Sequence, residues 1–178
     1  MKTKNNRVLN LALSALCLAL CMILPFLTGQ IKQIGNMLCP MHIPVLLCGF
    51  LCGPLYAAAV GAVAPLLRFA LFGMPQLYPT AVAMCFELAA YGLIAGICCR
   101  ALPRRKSSIY AALIAAMVGG RIIWGIVQAI LLGIGGGAFT WSAFIAAAFF
   151  NAVPGIILQL VLIPVLVMAL ERAGISAR

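Results

Sequence analysis

Three ionisable residues, Arg68, Glu87 and Arg121, lie inside otherwise apolar stretches of the chain. A charge at mid-membrane depth costs roughly 2.5–3.5 kcal/mol on the insertion scale, so such residues turn toward a protein interior and mark function. An Arg–Glu pair could simply pin two helices together. One carboxylate cannot neutralise two arginines, however, and the surplus positive charge favours an anionic group on a bound molecule. Arg68 has a second option, because its long stem lets it snorkel to an interface.

Polar and aromatic residues surround these charges in the sequence. Arg121, Trp124 and Gln128 are spaced i, i+3, i+7 and share one helical face, offering a cation, a ring for stacking and an amide for paired hydrogen bonds. A tryptophan at this depth can equally be packing. Asn151 lies within the last apolar stretch, and Gln76 and Tyr78 lie in the short stretch 73–79, GMPQLYP. Gln159 sits deeper and suits an interhelical hydrogen bond. His42 is the only histidine. With Cys39 and Met41 it forms C-P-M-H, which has the softness of a metal site, but no second histidine or acidic cluster completes a ligand set. The alternative is an approach to a helix fixed by Pro40 and Pro44, with His42 lining a cavity mouth. No metal site is assigned.

The elements that must carry these residues are membrane helices. Of 178 residues, 66% are apolar and 8% charged, against about 25% charged in a soluble domain. Barrel strands would alternate apolar and polar residues, whereas the apolar runs here are unbroken. The net charge of +10 does not indicate a nucleic-acid partner, since the basic residues punctuate apolar runs instead of covering a polar surface. Seven of the eight cysteines fall in or at the ends of apolar segments and act as small hydrophobes; Cys39 alone is in a loop. The first apolar run has no small-x-small cleavage site before Pro25 and reads as a retained span.

Apolar segments occur at 8–27, 43–73, 79–99, 109–133 and 140–170. Gly53-Pro54 divides the second into 43–53 and 54–73, and the shorter piece reaches only ~16 Å at 1.5 Å per residue, so it is tilted or re-entrant. With that division, Lys2, Lys4, Arg7, Arg100, Arg104, Arg105, Lys106, Arg172 and Arg178 fall on one side, nine of twelve positive charges. The positive-inside rule makes that side cytoplasmic, with both termini. Lys32 alone faces outward, in the loop 28–42; the other outer loops are 73–79 and 133–140. The fold class expected is all-α, one integral membrane domain over 1–178 with six segments.

No Walker motif, HExxH or GxSxG is present, and two acidic residues leave little for acid–base chemistry. An enzyme and a self-powered pump are excluded on these grounds. A stand-alone proton- or sodium-coupled carrier would usually show an internal repeat and coupling-ion carboxylates. A membrane scaffold would use the intramembrane charges on partner helices. An outward-facing pocket without an engine instead implies partners that supply the energy.

The six-segment plan, the long first outer loop, Ala15-x-x-x-Ala19, and the stretch 41–56 (MHIPVLLCGFLCGPLY) running on to 65–68 (PLLR) together resemble the substrate-binding S components of energy-coupling factor (ECF) vitamin transporters. The resemblance covers essentially the whole chain. It implies a multi-pass protein of a prokaryotic cell membrane that captures a small water-soluble vitamin or precursor from outside. It also implies docking through Ala15 and Ala19 to a transmembrane coupling subunit and two cytoplasmic ATPases, which use ATP; this chain carries no cofactor. Nickel and cobalt S components carry Met-His-Ile at the free N-terminus, whereas here it is internal, which argues against a metal substrate. The look is closest to the pantothenate and hydroxymethylpyrimidine-like group, and a pantothenate-like carboxylate would suit Arg68 or Arg121.

Overall fold

A computed structural model describes residues 2–27, 39–103, 105–134 and 153–173. Among them are six helices: α1 (Lys2–Leu27), α2 (His42–Leu51), α3 (Pro54–Phe72), α4 (Val82–Ala101), α5 (Lys106–Ile134) and α6 (Val153–Arg172). The regular structure in the described residues is entirely helical, as the unbroken apolar runs require. Inside a bilayer every backbone polar group must be satisfied within its own segment. Five helices are long and apolar enough to cross a membrane, and α2 is the short exception. The stretch 140–152 of the expected last segment lies outside the described residues.

The division at Gly53-Pro54 has a clear local cause. Gly53 adopts φ +95°, a conformation open to glycine and costly for other residues. Pro54 then opens α3 at a position where its missing N–H is not needed. α3 stops at Gly73, whose left-handed backbone (φ 69°, ψ 5°) lets its N–H close on the Phe69 carbonyl at 2.8 Å. A wide turn over Leu77–Ala81, with Tyr78 extended, leads into α4.

All ten residues of α2 are buried. At 1.5 Å per residue it is ~15 Å long, half a bilayer core. Its neighbours α1, α3, α4 and α6 enclose it, so its length need not match the lipid. Around it, α4 is the central post, packing on α2, α3 and α5. Lipid tails are as apolar as leucine, so helices in a membrane adhere by close packing more than by the hydrophobic effect. Small residues supply that closeness. A methyl group at Gly61 would fall 2.4 Å from the Leu88 backbone, and one at Gly92 would fall 2.7 Å from the Ala57 backbone. The α3–α4 contact is thus backbone against backbone. Gly96 does the same against Pro54, and Gly49 of α2 lies on Gly92 and Ala95 of α4, so the G-x-x-x-G spacing at 92–96 receives both α3 and α2.

Contacts also order the helix ends. Arg100, at the end of α4, lies over Gly53. At the opposite end, Phe26 of α1 meets Phe72 of α3, and the Tyr78 hydroxyl donates to the Leu131 carbonyl of α5. α1, α3 and α5 therefore finish at one end of the bundle, and α4 finishes where α3 starts.

Candidate functional site

The site forms where α2 begins. Cys39 holds a left-handed backbone (φ 47°), and its carbonyl accepts the His42 N–H at 3.0 Å, which curls the chain into α2. The Cys21 thiol of α1 reaches the Met41 carbonyl at 3.6 Å and ties this turn to its neighbour. His42 is thereby carried into the interior as the first residue of α2, with 3% of its surface exposed.

Two charges from other helices meet it there. Glu87, in the second turn of α4 and 2% exposed, places Oε1 3.0 Å from Arg121 Nη1 and 3.4 Å from His42 Nε2. Arg121 extends from α5 and directs Nη2 to the Cys39 Sγ at 3.5 Å. Such a buried ion pair repays its desolvation only with good geometry and further hydrogen bonds, and loss of one partner costs ~3–5 kcal/mol. Tyr91, one turn beyond Glu87, presents its ring to His42 edge-on, with centroids 4.9 Å apart and planes at 84°. The Tyr91 ring lies directly over Gly120, where an added Cβ would sit 2.2 Å from it. Gly120 therefore makes room for the ring that backs the histidine, one residue before the arginine that completes the cluster.

Hydrogen bonding within this cluster is incomplete. Among the described residues, His42 Nδ1 and Nε2, Glu87 Oε1 and Arg121 Nε are buried without a hydrogen-bond partner, as are Gln128 Oε1, two turns farther along α5, and Gln159 Oε1 of α6. The Arg121–Glu87 contact is close but not aligned as a hydrogen bond. Buried polar atoms in proteins are nearly always paired, so several orphans in one place mark a site that takes polar groups from elsewhere.

The other expected site residues are distributed as follows. Trp124 and Gln128 continue the Arg121 face of α5 and are both half-buried. Gln76 is exposed, its carbonyl accepting the Ala81 N–H at 2.9 Å, and Tyr78 straps that turn to α5. Asn151 lies outside the described residues. Gln159 is buried at 2% exposure, but its Oε1 has no interhelical hydrogen bond among the described residues. Ala15 and Ala19 are on the exposed face of α1, opposite Ser14, Cys17 and Cys21, which face inward.

Arg68 stands apart from the cluster. Its Nη1 donates to the Met22 carbonyl at 2.8 Å, and its guanidinium lies 5.4 Å from the Phe26 ring centroid and 5.3 Å from that of Phe72. The cation is housed by two rings and a carbonyl. Arg68 therefore does not stand beside Glu87, and among the described residues Arg121 is the one arginine at the cluster.

Cys39 and Tyr91 belong to the site without having been singled out from the sequence for it. The signal for Tyr91 was available, since it follows Glu87 by four residues and shares its face. That for Cys39 was its place in C-P-M-H, which serves here as a turn delivering a thiol to Arg121.

A family model described as "ECF transporter, substrate-specific component" matches residues 9–167. No curated protein and no solved structure matches the chain. The match takes in α1 through most of α6, and with them every residue of the buried cluster. A binding protein without catalytic machinery is what the paired, orphan-bearing cluster suits. The chain belongs to the substrate-specific components of ECF transporters, multi-pass membrane proteins that bind a substrate and are not enzymes.

Proposed function

We propose that this component captures a small water-soluble vitamin or vitamin precursor, and that it holds it at the cluster of His42, Glu87 and Arg121 at the head of α2. One observation carries the reading: buried polar atoms from three helices converge there without hydrogen-bond partners among the described residues. Trp124 and Gln128, one and two turns along α5, extend the surface available to a ligand. The Tyr78 end of the bundle is taken as the outer side, because Arg100 and the basic stretch 104–106 belong to the opposite end. Substrate then enters near the turn that carries Tyr78.

Membership of the family implies an ECF module as partner. The finer proposal is that the exposed Ala15–Ala19 face of α1 meets the transmembrane coupling subunit, with two cytoplasmic ATPases supplying the energy. That face is smooth, and none of the described helices covers it. The buried charges are paired inside the chain and are poorly placed to hold an outside helix, which disfavours a scaffold reading. A pantothenate-like substrate, the branch the sequence looks most like, would meet one arginine already paired with Glu87.

Titrating the full-length protein in detergent with water-soluble vitamins and precursors tests the proposal. At least one compound is expected to bind below micromolar concentration, with His42→Ala weakening it at least tenfold. Binding of none, or binding indifferent to His42, would refute it.

A further inference from the structure

Gln159 of α6 is 2% exposed, and its Oε1 accepts no hydrogen bond among the described residues. The interhelical bond that would justify a glutamine at this depth of a membrane helix is therefore not made there. The rest of the buried stripe of α6 is Gly155, Ile163, Pro164 and Val167, none with a polar side chain. A buried amide in such a stripe costs free energy until a polar group meets it.

The position of Gln159 indicates where that group comes from. α6 packs on α2 and α5, the helices that carry His42 and Arg121. Its depth also matches theirs. Glu87 precedes Arg100, in the last turn of α4, by thirteen residues, and Gln159 precedes Arg172, in the last turn of α6, by the same number. The positive-inside rule puts both arginines at the cytoplasmic end. Glu87 and Gln159 then each lie roughly 20 Å from that end, at 1.5 Å per residue. α2 keeps the same register, since Gly49 lies on Gly92 and Ala95 while His42 meets Glu87. The inward side of α6 thus carries its one buried amide at the level of the head of α2.

Resting on the reading of the His42, Glu87 and Arg121 cluster as the substrate site, we infer that Gln159 is a further substrate-contacting residue, the contribution of α6 to the same site. An amide both donates and accepts and carries no charge. It holds an uncharged polar group of the substrate, a hydroxyl, a carbonyl or an amide, while the charged residues lie on α4 and α5. A site that must hydrogen-bond a ligand group rejects analogues lacking that group, because its own polar atom is left unmet. Gln159 is on these grounds a specificity residue.

Calorimetric titration of the full-length protein in detergent tests this, with pantothenate, pantothenol, thiamine, 4-amino-5-hydroxymethyl-2-methylpyrimidine, riboflavin and biotin as probes. The tightest-binding probe is then titrated into two variants. Gln159→Met keeps the length of the side chain and removes its amide. It is expected to weaken that probe at least fivefold. The unfolding midpoint of the ligand-free protein should stay unchanged or rise, because no hydrogen bond within the fold is lost. His42→Ala reports on the site itself. Affinity lowered by His42→Ala but changed less than fivefold by Gln159→Met overturns the inference and leaves the substrate site standing. A lowered ligand-free midpoint in Gln159→Met gives the amide a structural role and overturns it as well. Binding of no probe, or binding indifferent to His42, rejects both.

Discussion

Glu87 is the residue around which the site is organised, since it is the one acidic group among the buried charges and both His42 and Arg121 converge on it. Replacing Arg121 by alanine would strand a buried carboxylate, so we expect a stability loss of ~3–5 kcal/mol, measured as a lowered midpoint of thermal unfolding in detergent. Arg68→Met should behave differently. It removes a charged hydrogen bond to Met22 and the contacts with Phe26 and Phe72, a loss of ~1.5–3 kcal/mol. Ligand affinity should change much less than in Glu87→Gln, because Arg68 stands outside the cluster. The three intramembrane charges are legible in the sequence as residues with no reason to be in lipid, but their partners are not. Hydropathy gives the depth of Arg68 and Arg121 and not their azimuth, and the carbonyl of Met22, a backbone atom, carries no sequence signature at all.

At the scale of elements, the bundle depends on a seam of glycines between α3 and α4. Gly61→Ala would drive a methyl group to 2.4 Å from the Leu88 backbone, which cannot rotate aside. Overpacking of this kind costs typically ~1–3 kcal/mol, and here we expect the upper part of that range, read as a drop in thermal unfolding midpoint. Gly120→Ala acts on the site itself, since its methyl group would press the Tyr91 ring toward His42. The expected outcome is weakened ligand binding with a smaller change in stability, measured by titration beside a thermal melt. Charge sorting and Gly53-Pro54 make the helix order readable from the sequence, including the short second helix. What they do not reveal is that α2 is sheathed on all sides, because a ten-residue apolar helix reads alike whether it lies in lipid or in protein. The sequence likewise offers C-P-M-H as either a soft-metal motif or a helix approach; the left-handed Cys39 and its bond to His42 make it a turn.

For the whole molecule, two surfaces divide the work. On the proposed reading an interior cluster near one end of the bundle takes the substrate, while the exposed face of α1, with Ala15 and Ala19, meets the coupling subunit. The two are separated, so they should be separable by mutation. Ala15→Leu with Ala19→Leu is expected to abolish co-purification with the coupling subunit and leave substrate affinity within threefold of wild type; retained assembly would show that another face docks. The central claim is that the substrate is held by the buried cluster at the head of α2. Its most direct test is calorimetric titration of the full-length wild type, His42→Ala and Glu87→Gln with the tightest-binding vitamin or precursor from the screen. Submicromolar binding to the wild type and at least tenfold weaker binding to each variant, with both variants still folded, is the expected result. Equal affinity in all three proteins would contradict it.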